Sequence, residues 1–261
     1  MLILLAYILT GIVAGITAGL LGLGGGAIIV PILYAIFQSQ ELALSSTMQL
    51  AVGTSLATIV FTAISSGLSH HRLGNVQMKT ALYLAPGIVI GALLGAAIAD
   101  IVSTDVLKRA FGIFEILVAI QIGLGFKPAA QRTLPNPKGL AASGGVIGTI
   151  SSLMGIGGGS ITVPFLLWCN VSMREAVGTS AACGLPIAIA GVLGFIIAGL
   201  NNTGLPEWSV GYVYLPAMIC IISTSVFFAP MGAKLAHRLP IQTLKRIFAI
   251  VLVLVGLKMI F

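Results

Sequence analysis

Apolar runs of about 20 residues recur along this chain, and they limit its fold more than any other feature. Leu2–Leu21 is the first of them. A helix of that length crosses the roughly 30 Å hydrocarbon core of a bilayer. Whether such runs are membrane spans or a soluble core depends on how much polar surface the chain can supply. Only 7% of its residues are charged and 58% are hydrophobic, whereas a soluble domain is about a quarter charged. Too few polar side chains remain to coat a surface facing water. Backbone in hydrocarbon must satisfy its own hydrogen bonds, which leaves helices for runs of this length. The expected class is therefore an all-α polytopic membrane protein.

The formal net charge of +7 does not indicate nucleic acid. The basic residues sit in short loops between apolar segments, as the positive-inside rule expects, and not with aromatics on a polar domain. Cys169, Cys183 and Cys220 lie in or beside apolar segments without C-x-x-C spacing. No disulfide, metal or cofactor is expected from them. The N-terminus is apolar from Leu2 and lacks a basic n-region, so it reads as a first membrane segment and not a cleaved signal peptide.

The chain is a duplication. Gly19-Leu-Leu-Gly-Leu-Gly-Gly-Gly26 with Val30-Pro31 recurs as Ser152-Leu-Met-Gly-Ile-Gly-Gly-Gly159 with Val163-Pro164. Ala51-Val-Gly-Thr-Ser55 recurs as Ala176-Val-Gly-Thr-Ser180, and Tyr83-Leu84 near Pro86 as Tyr214-Leu215 with Pro216. Leu107-Lys-Arg-Ala-Phe111 recurs as Leu244-Lys-Arg-Ile-Phe248. Four matches in one order divide the chain into a first repeat, 1–125, a linker, 126–138, and a second repeat, 139–261. The linker carries Lys127, Arg132 and Lys138 among three prolines, which marks it as exposed to water.

Each repeat follows one plan. A segment (Leu2–Leu21; Gly139–Met154) stops at a glycine run, and a short piece (Ala27–Phe37; Ser160–Trp168) follows. At about 11 residues, or roughly 17 Å as helix, the first short piece cannot span alone. Three longer segments come next: Leu44–Leu68, Val76–Ile98 and Val106–Gly125, then Ala176–Leu200, Trp208–Ala236 and Ile241–Ile260. If each glycine-broken pair returns to the side it entered, Arg72, Lys79, Lys127, Arg132, Lys138, Arg174, Lys234, Arg238, Lys245 and Arg246 share one side. Only Lys108, Arg109 and Lys258 lie opposite, a strong positive-inside bias. If each pair crosses once, the bias vanishes. The hairpin plan gives three crossings per repeat, so the second repeat is upside down. The expected fold is two homologous inverted repeats, each a glycine-broken hairpin plus three transmembrane helices, with both termini extracytoplasmic.

Inverted repeats often place substrate between broken helices near the membrane midplane. The helices after the two glycine runs begin with unpaired N–H groups and the positive end of a dipole. Two such ends facing each other form a cradle for an anion. The candidate substrate-binding residues are Gly24, Gly25, Gly26, Gly157, Gly158 and Gly159, together with the hydroxyls of Thr54, Ser55, Thr179 and Ser180. Tight helix packing and back-bonding to helix carbonyls are the bland alternatives. Glu115 is the one carboxylate well inside an apolar run and a candidate for proton coupling; its counterpart is Leu252. Arg174, Gln49 at the equivalent position, and Cys183 are weaker candidates. His70, His71 and Arg72 read as a polar loop.

At these motifs the chain resembles the TauE/SafE (sulfite exporter, TSUP) family of membrane transporters. Gly19–Gly26 with Pro31, Ala51–Ser55, the His71-Arg72-Leu-Gly-Asn-Val76 stretch, Gly148–Gly159 with Pro164, and Ala176–Ser180 carry the likeness over nearly the whole chain. The resemblance implies a transporter arisen by duplication, with sulfite, thiosulfate or an organosulfonate as the substrate class. The expected function is a secondary permease for a small anion, working by alternating access in the cell membrane, with the anion and lipid as partners. An anion channel and a membrane-embedded enzyme are the alternatives, the latter lacking any nucleophile–base or metal spacing. No nucleic acid is expected, and homo-oligomerisation stays open.

Overall fold

The computed structural model describes residues 2–21, 24–123, 133–235 and 241–261, without the side chains of residues 2, 21 and 241–248. Ten helices account for nearly all of it. In order they are α1 (Leu2–Leu21), α2 (Gly26–Ser39), α3 (Thr47–Arg72), α4 (Met78–Ile101) and α5 (Thr104–Gly123). They continue as α6 (Pro137–Met154), α7 (Gly159–Trp168), α8 (Met173–Gly199), α9 (Leu215–Leu235) and α10 (Ile241–Ile260). Helices α1, α3, α4, α8 and α9 are long and apolar enough to cross a membrane. The protein is thus an all-α, multi-span chain. Most of the expected linker, with Lys127 and Arg132, lies outside the described residues, as do Arg238 and the side chains of Lys245 and Arg246.

Both glycine runs break the chain where expected, and they do so in one conformation. Gly25 caps α2 with φ 81 and ψ −12, and Gly158 caps α7 with φ 80 and ψ −11. Left-handed backbone of this kind strains any residue with a Cβ, so glycine is required at both elbows.

Small residues decide how the helices pack. On α1, Gly11, Gly15 and Gly19 lie against the backbone carbonyls of Ile221, Ser225 and Ala229 on α9. On α4, Gly87, Gly91 and Gly95 do the same against Ala141, Gly145 and Thr149 on α6. A missing side chain lets two backbones touch, the commonest way helices associate in lipid. The register in each pair rises together, so α1 runs parallel to α9 and α4 parallel to α6. By contrast α3 and α8 run antiparallel: Gly53 meets Phe195, Gly191 meets Leu56, and Gly184 meets Ala63. Helices α5 and α10 are also antiparallel, Gly112 facing Gly256 and Gly123 facing Ala249. Large apolar side chains such as Leu82, Ile90, Ile219 and Phe227 point outward.

Two expectations need correction. The stretch taken as one segment from Trp208 begins with a short antiparallel hairpin, Ser209–Val210 paired to Val213–Tyr214, and α9 starts only at Leu215. Trp208 (φ 68) and Gly211 (φ 53) turn the backbone out of helical geometry there. The expected His70–Arg72 loop is instead the last turn of α3. His71 and Arg72 are exposed. His70 is buried, and its Nε2–H donates to the Gly19 carbonyl at 3.1 Å.

Candidate functional site

The two elbows meet. A Cβ on Gly24 would lie 2.6 Å from the Cα of Gly157, and one on Gly157 would lie 2.8 Å from the Cα of Gly24. Gly26 in turn abuts the Gly155 carbonyl and the Cα of Ile156. Equivalent points of the two repeats therefore touch backbone to backbone, between the antiparallel α3 and α8.

Beside this contact is a narrow cavity. Gly24, Gly157, Thr62, Ser66, Ala181 and Gly184 supply most of its wall. The part open to a guest is roughly the size of one water molecule. Thr62 Oγ1 bonds Ser225 Oγ at 3.1 Å. Ser66 is 3% exposed and its hydroxyl has no hydrogen-bond partner. Both belong to a stripe of buried polar residues at four-residue spacing on α3: Thr54, Thr58, Thr62, Ser66 and His70. That spacing sets one helix face and is legible in the sequence, although Thr62 and Ser66 were not singled out from it.

The helix starts at the elbows are sparsely bonded. In α7 the first amides to find backbone acceptors are those of Ile161 and Thr162, both on the Gly158 carbonyl. Among the described residues, the N–H groups of Gly159 and Ser160 have no backbone acceptor. In α2, Ile28 and Ile29 donate to Gly25 in the same pattern. Around the second elbow four more buried hydroxyls, on Ser151, Ser152, Ser160 and Thr162, lack partners.

The Gly-Thr-Ser residues have protein partners. The Tyr214 N–H, just before α9, donates to Thr54 Oγ1 at 2.9 Å. Its counterpart is the Gln77 N–H, just before α4, which donates to Thr179 Oγ1 at 3.0 Å. Each threonine thus holds the entry of the helix packed across from it. Ser55 donates to the Gly155 carbonyl at 2.9 Å and so ties α3 to the second elbow; Ser180 donates to Val177 in its own helix.

The remaining candidates are scattered. Gln49 donates to the carbonyls of Ala99 and Val102 and accepts from Thr104, which fastens α3 to the α4–α5 turn. Arg174 is exposed in the first turn of α8. Cys183 is buried in the main apolar core. Glu115 is 0% exposed in α5, both carboxyl oxygens unpartnered, with Gly256 of α10 close by. One helical turn further on, Val118 and Ala119 pack with Leu20, Ala27 and Ile28 at the first elbow.

Residues 7–259 match the family model described as "Sulfite exporter TauE/SafE". The chain is 37% identical to a probable membrane transporter protein of Haemophilus influenzae over 257 residues, covering 98% of this chain and 97% of the relative. It is 30% identical to the probable membrane transporter protein YunE of Bacillus subtilis, over 97% and 96% of the two chains. A probable membrane transporter protein of Methanocaldococcus jannaschii is 27% identical over the whole of this chain and 96% of its own. No solved structure matches the chain.

Proposed function

The chain belongs to the sulfite exporter TauE/SafE family of membrane transporters, and on that premise we propose that it is a secondary carrier for a small sulfur-containing anion, sulfite, thiosulfate or an organosulfonate. The single observation that carries this is the meeting of two glycine elbows beside a buried cavity. Ser66, in the cavity wall, has a buried hydroxyl without a partner, and the helices that start just after each elbow begin with amides that lack backbone acceptors among the described residues. An anion supplies acceptors and gains from the positive end of each helix dipole; a cation meets the wrong sign.

The repeats, 1–125 and 139–261, are taken as inverted. Exchanging them turns the α1–α9 contact into the α6–α4 contact, and it maps the α3–α8 and α5–α10 pairs onto themselves. A pair that maps onto itself while running antiparallel is related by an axis across the helices, in the membrane plane. The loop charges then put both termini outside the cell membrane. Alternating access is the mechanism that this arrangement suits. The cavity is too narrow for a sulfur oxyanion, so passage requires the elbows to part, and a site on the axis can open to either side in turn. Glu115, a carboxyl sealed between α5 and α10 near the first elbow, is the group that takes up and releases a coupling proton.

The test is flux of radiolabelled sulfite or thiosulfate into proteoliposomes holding the purified chain. A carrier saturates and shows counterflow. Flux that rises linearly with concentration and shows no counterflow identifies a channel, and no flux for any sulfur anion refutes the proposal.

A further inference from the structure

Buried hydroxyls on helices ordinarily donate to a carbonyl one turn back, as Thr10 does to Ala6 and Thr149 to Gly145. Ser151, 1% exposed, and Thr162, 0% exposed, do not; neither has any partner. An unpaired buried hydroxyl costs free energy, and a guest that accepts from it removes that cost. Both point to one place. The Ser151 and Thr162 hydroxyl oxygens each lie 3.5 Å from where a Cβ on Gly158 would sit. The next two residues, Gly159 and Ser160, begin α7 with N–H groups that lack backbone acceptors among the described residues. The terminal methyl of Ile187 on α8 fills this spot, so a guest seated there displaces the far end of that side chain.

At the first elbow the α2 amides of Gly26 and Ala27 likewise lack backbone acceptors among the described residues, but the two hydroxyls are missing. Aligning the glycine runs sets Ala18 against Ser151 and Ile29 against Thr162. Gly25, the counterpart of Gly158, is flanked instead by the carbonyl and Cβ of Ala14. The repeat is therefore symmetric in backbone and asymmetric in chemistry.

We propose that the oxyanion is seated on the second elbow alone, held by the α7 amides of Gly159 and Ser160 and by the hydroxyls of Ser151 and Thr162. This rests on the carrier reading and sharpens it: both elbows offer helix-start amides, and the second alone adds the two hydroxyls. Two hydroxyls that meet at one point, next in the chain to two unbonded amides, fit a compact, multiply oxygenated anion such as sulfite or thiosulfate better than chloride, which has no separate oxygens to share among them.

The experiment is a thermal-shift titration of the purified full-length chain with sodium sulfite, thiosulfate, sulfate and chloride, run beside sulfite and thiosulfate flux. Thr162→Val keeps the shape and removes the hydroxyl, so the unliganded protein is expected to melt no lower than the native chain. Its half-saturating concentration for the preferred anion is expected to rise about tenfold or more, as for other lost hydrogen bonds to a charged group. Ser151→Ala behaves likewise, and Thr162→Ser restores affinity. Affinity and flux KM within twofold of the native chain in both Thr162→Val and Ser151→Ala overturn the seat on the second elbow while leaving the carrier reading intact. A lower melting temperature in Thr162→Val with unchanged affinity assigns the hydroxyl to structure and also overturns it. Absence of both flux and thermal shift in the native chain removes the carrier reading and this inference together.

Discussion

Gly157→Ala tests the contact on which the site is built. The added Cβ would sit 2.8 Å from the Cα of Gly24 and 3.4 Å from Ile59 Cγ2. Comfortable carbon–carbon separation is about 3.5–4.0 Å, so the first contact falls short by roughly 1 Å. The obstacle is backbone, which cannot swing aside as a side chain can, so the elbow itself must move. Overpacking of this kind costs about 1–3 kcal/mol. Gly157 is not among the glycines with positive φ, so the cost is steric alone. Gly24→Ala meets Gly157 at 2.6 Å and also has φ 75, where a Cβ costs a further 1–2 kcal/mol or so, for a total of about 2–5 kcal/mol. Gly67→Ala is the control. It lies in α3 with its nearest neighbour at 3.7 Å, an ordinary contact, and gains about 0.5–1 kcal/mol from removing a helix glycine. Unfolding in mild detergent, followed by tryptophan fluorescence, ranks the three. The expected order of stability is Gly67→Ala, then Gly157→Ala, then Gly24→Ala, with flux lost in the last two. A Gly157→Ala protein as stable as Gly67→Ala, and transporting normally, refutes the elbow contact.

Three further outcomes follow from the same structure. Thr54→Val and Thr179→Val each strand one backbone N–H, of Tyr214 and Gln77; each costs about 1–3 kcal/mol, and the two losses match within error because the bonds are equivalent across the repeats, as paired unfolding curves will check. Gln49→Leu strands the carbonyls of Ala99 and Val102, so unfolding experiments should find it less stable by at least about 1 kcal/mol while anion affinity stays native. Glu115→Gln keeps the shape and removes the titrating group. Its flux is expected to lose the acceleration that an imposed proton gradient gives the native chain, with substrate KM unchanged; an undiminished gradient effect would remove Glu115 from the coupling.

Much of this architecture could be read before any coordinates. Glycine runs and the duplicated Val-Pro pairs located both elbows, because left-handed backbone admits few residues and the same sequence returns with the same break. Hydropathy located the long helices, since lipid leaves the backbone no other partner. What could not be read depends on what lies across space. Nothing local reveals that Thr54 and Thr179 each accept from the amide at the entry of a helix in the other repeat. His70 looked exposed beside His71 and Arg72, yet α3 turns its ring inward against Gly19. The hairpin at 209–214 hid inside an apolar run, since hydropathy does not distinguish a short hairpin from the start of a helix. Ser66, Ser151 and Thr162 went unremarked because a hydroxyl in an apolar helix normally bonds its own backbone, and only the folded chain shows that these do not.

The most direct measurement is a density map of the chain in lipid nanodiscs with saturating thiosulfate. Density for the anion is expected where the elbows converge, within hydrogen-bond distance of the Gly159 and Ser160 amides and of the Ser151 and Thr162 hydroxyls. Density confined to the loops, or those amides found bonded to protein acceptors, would contradict it.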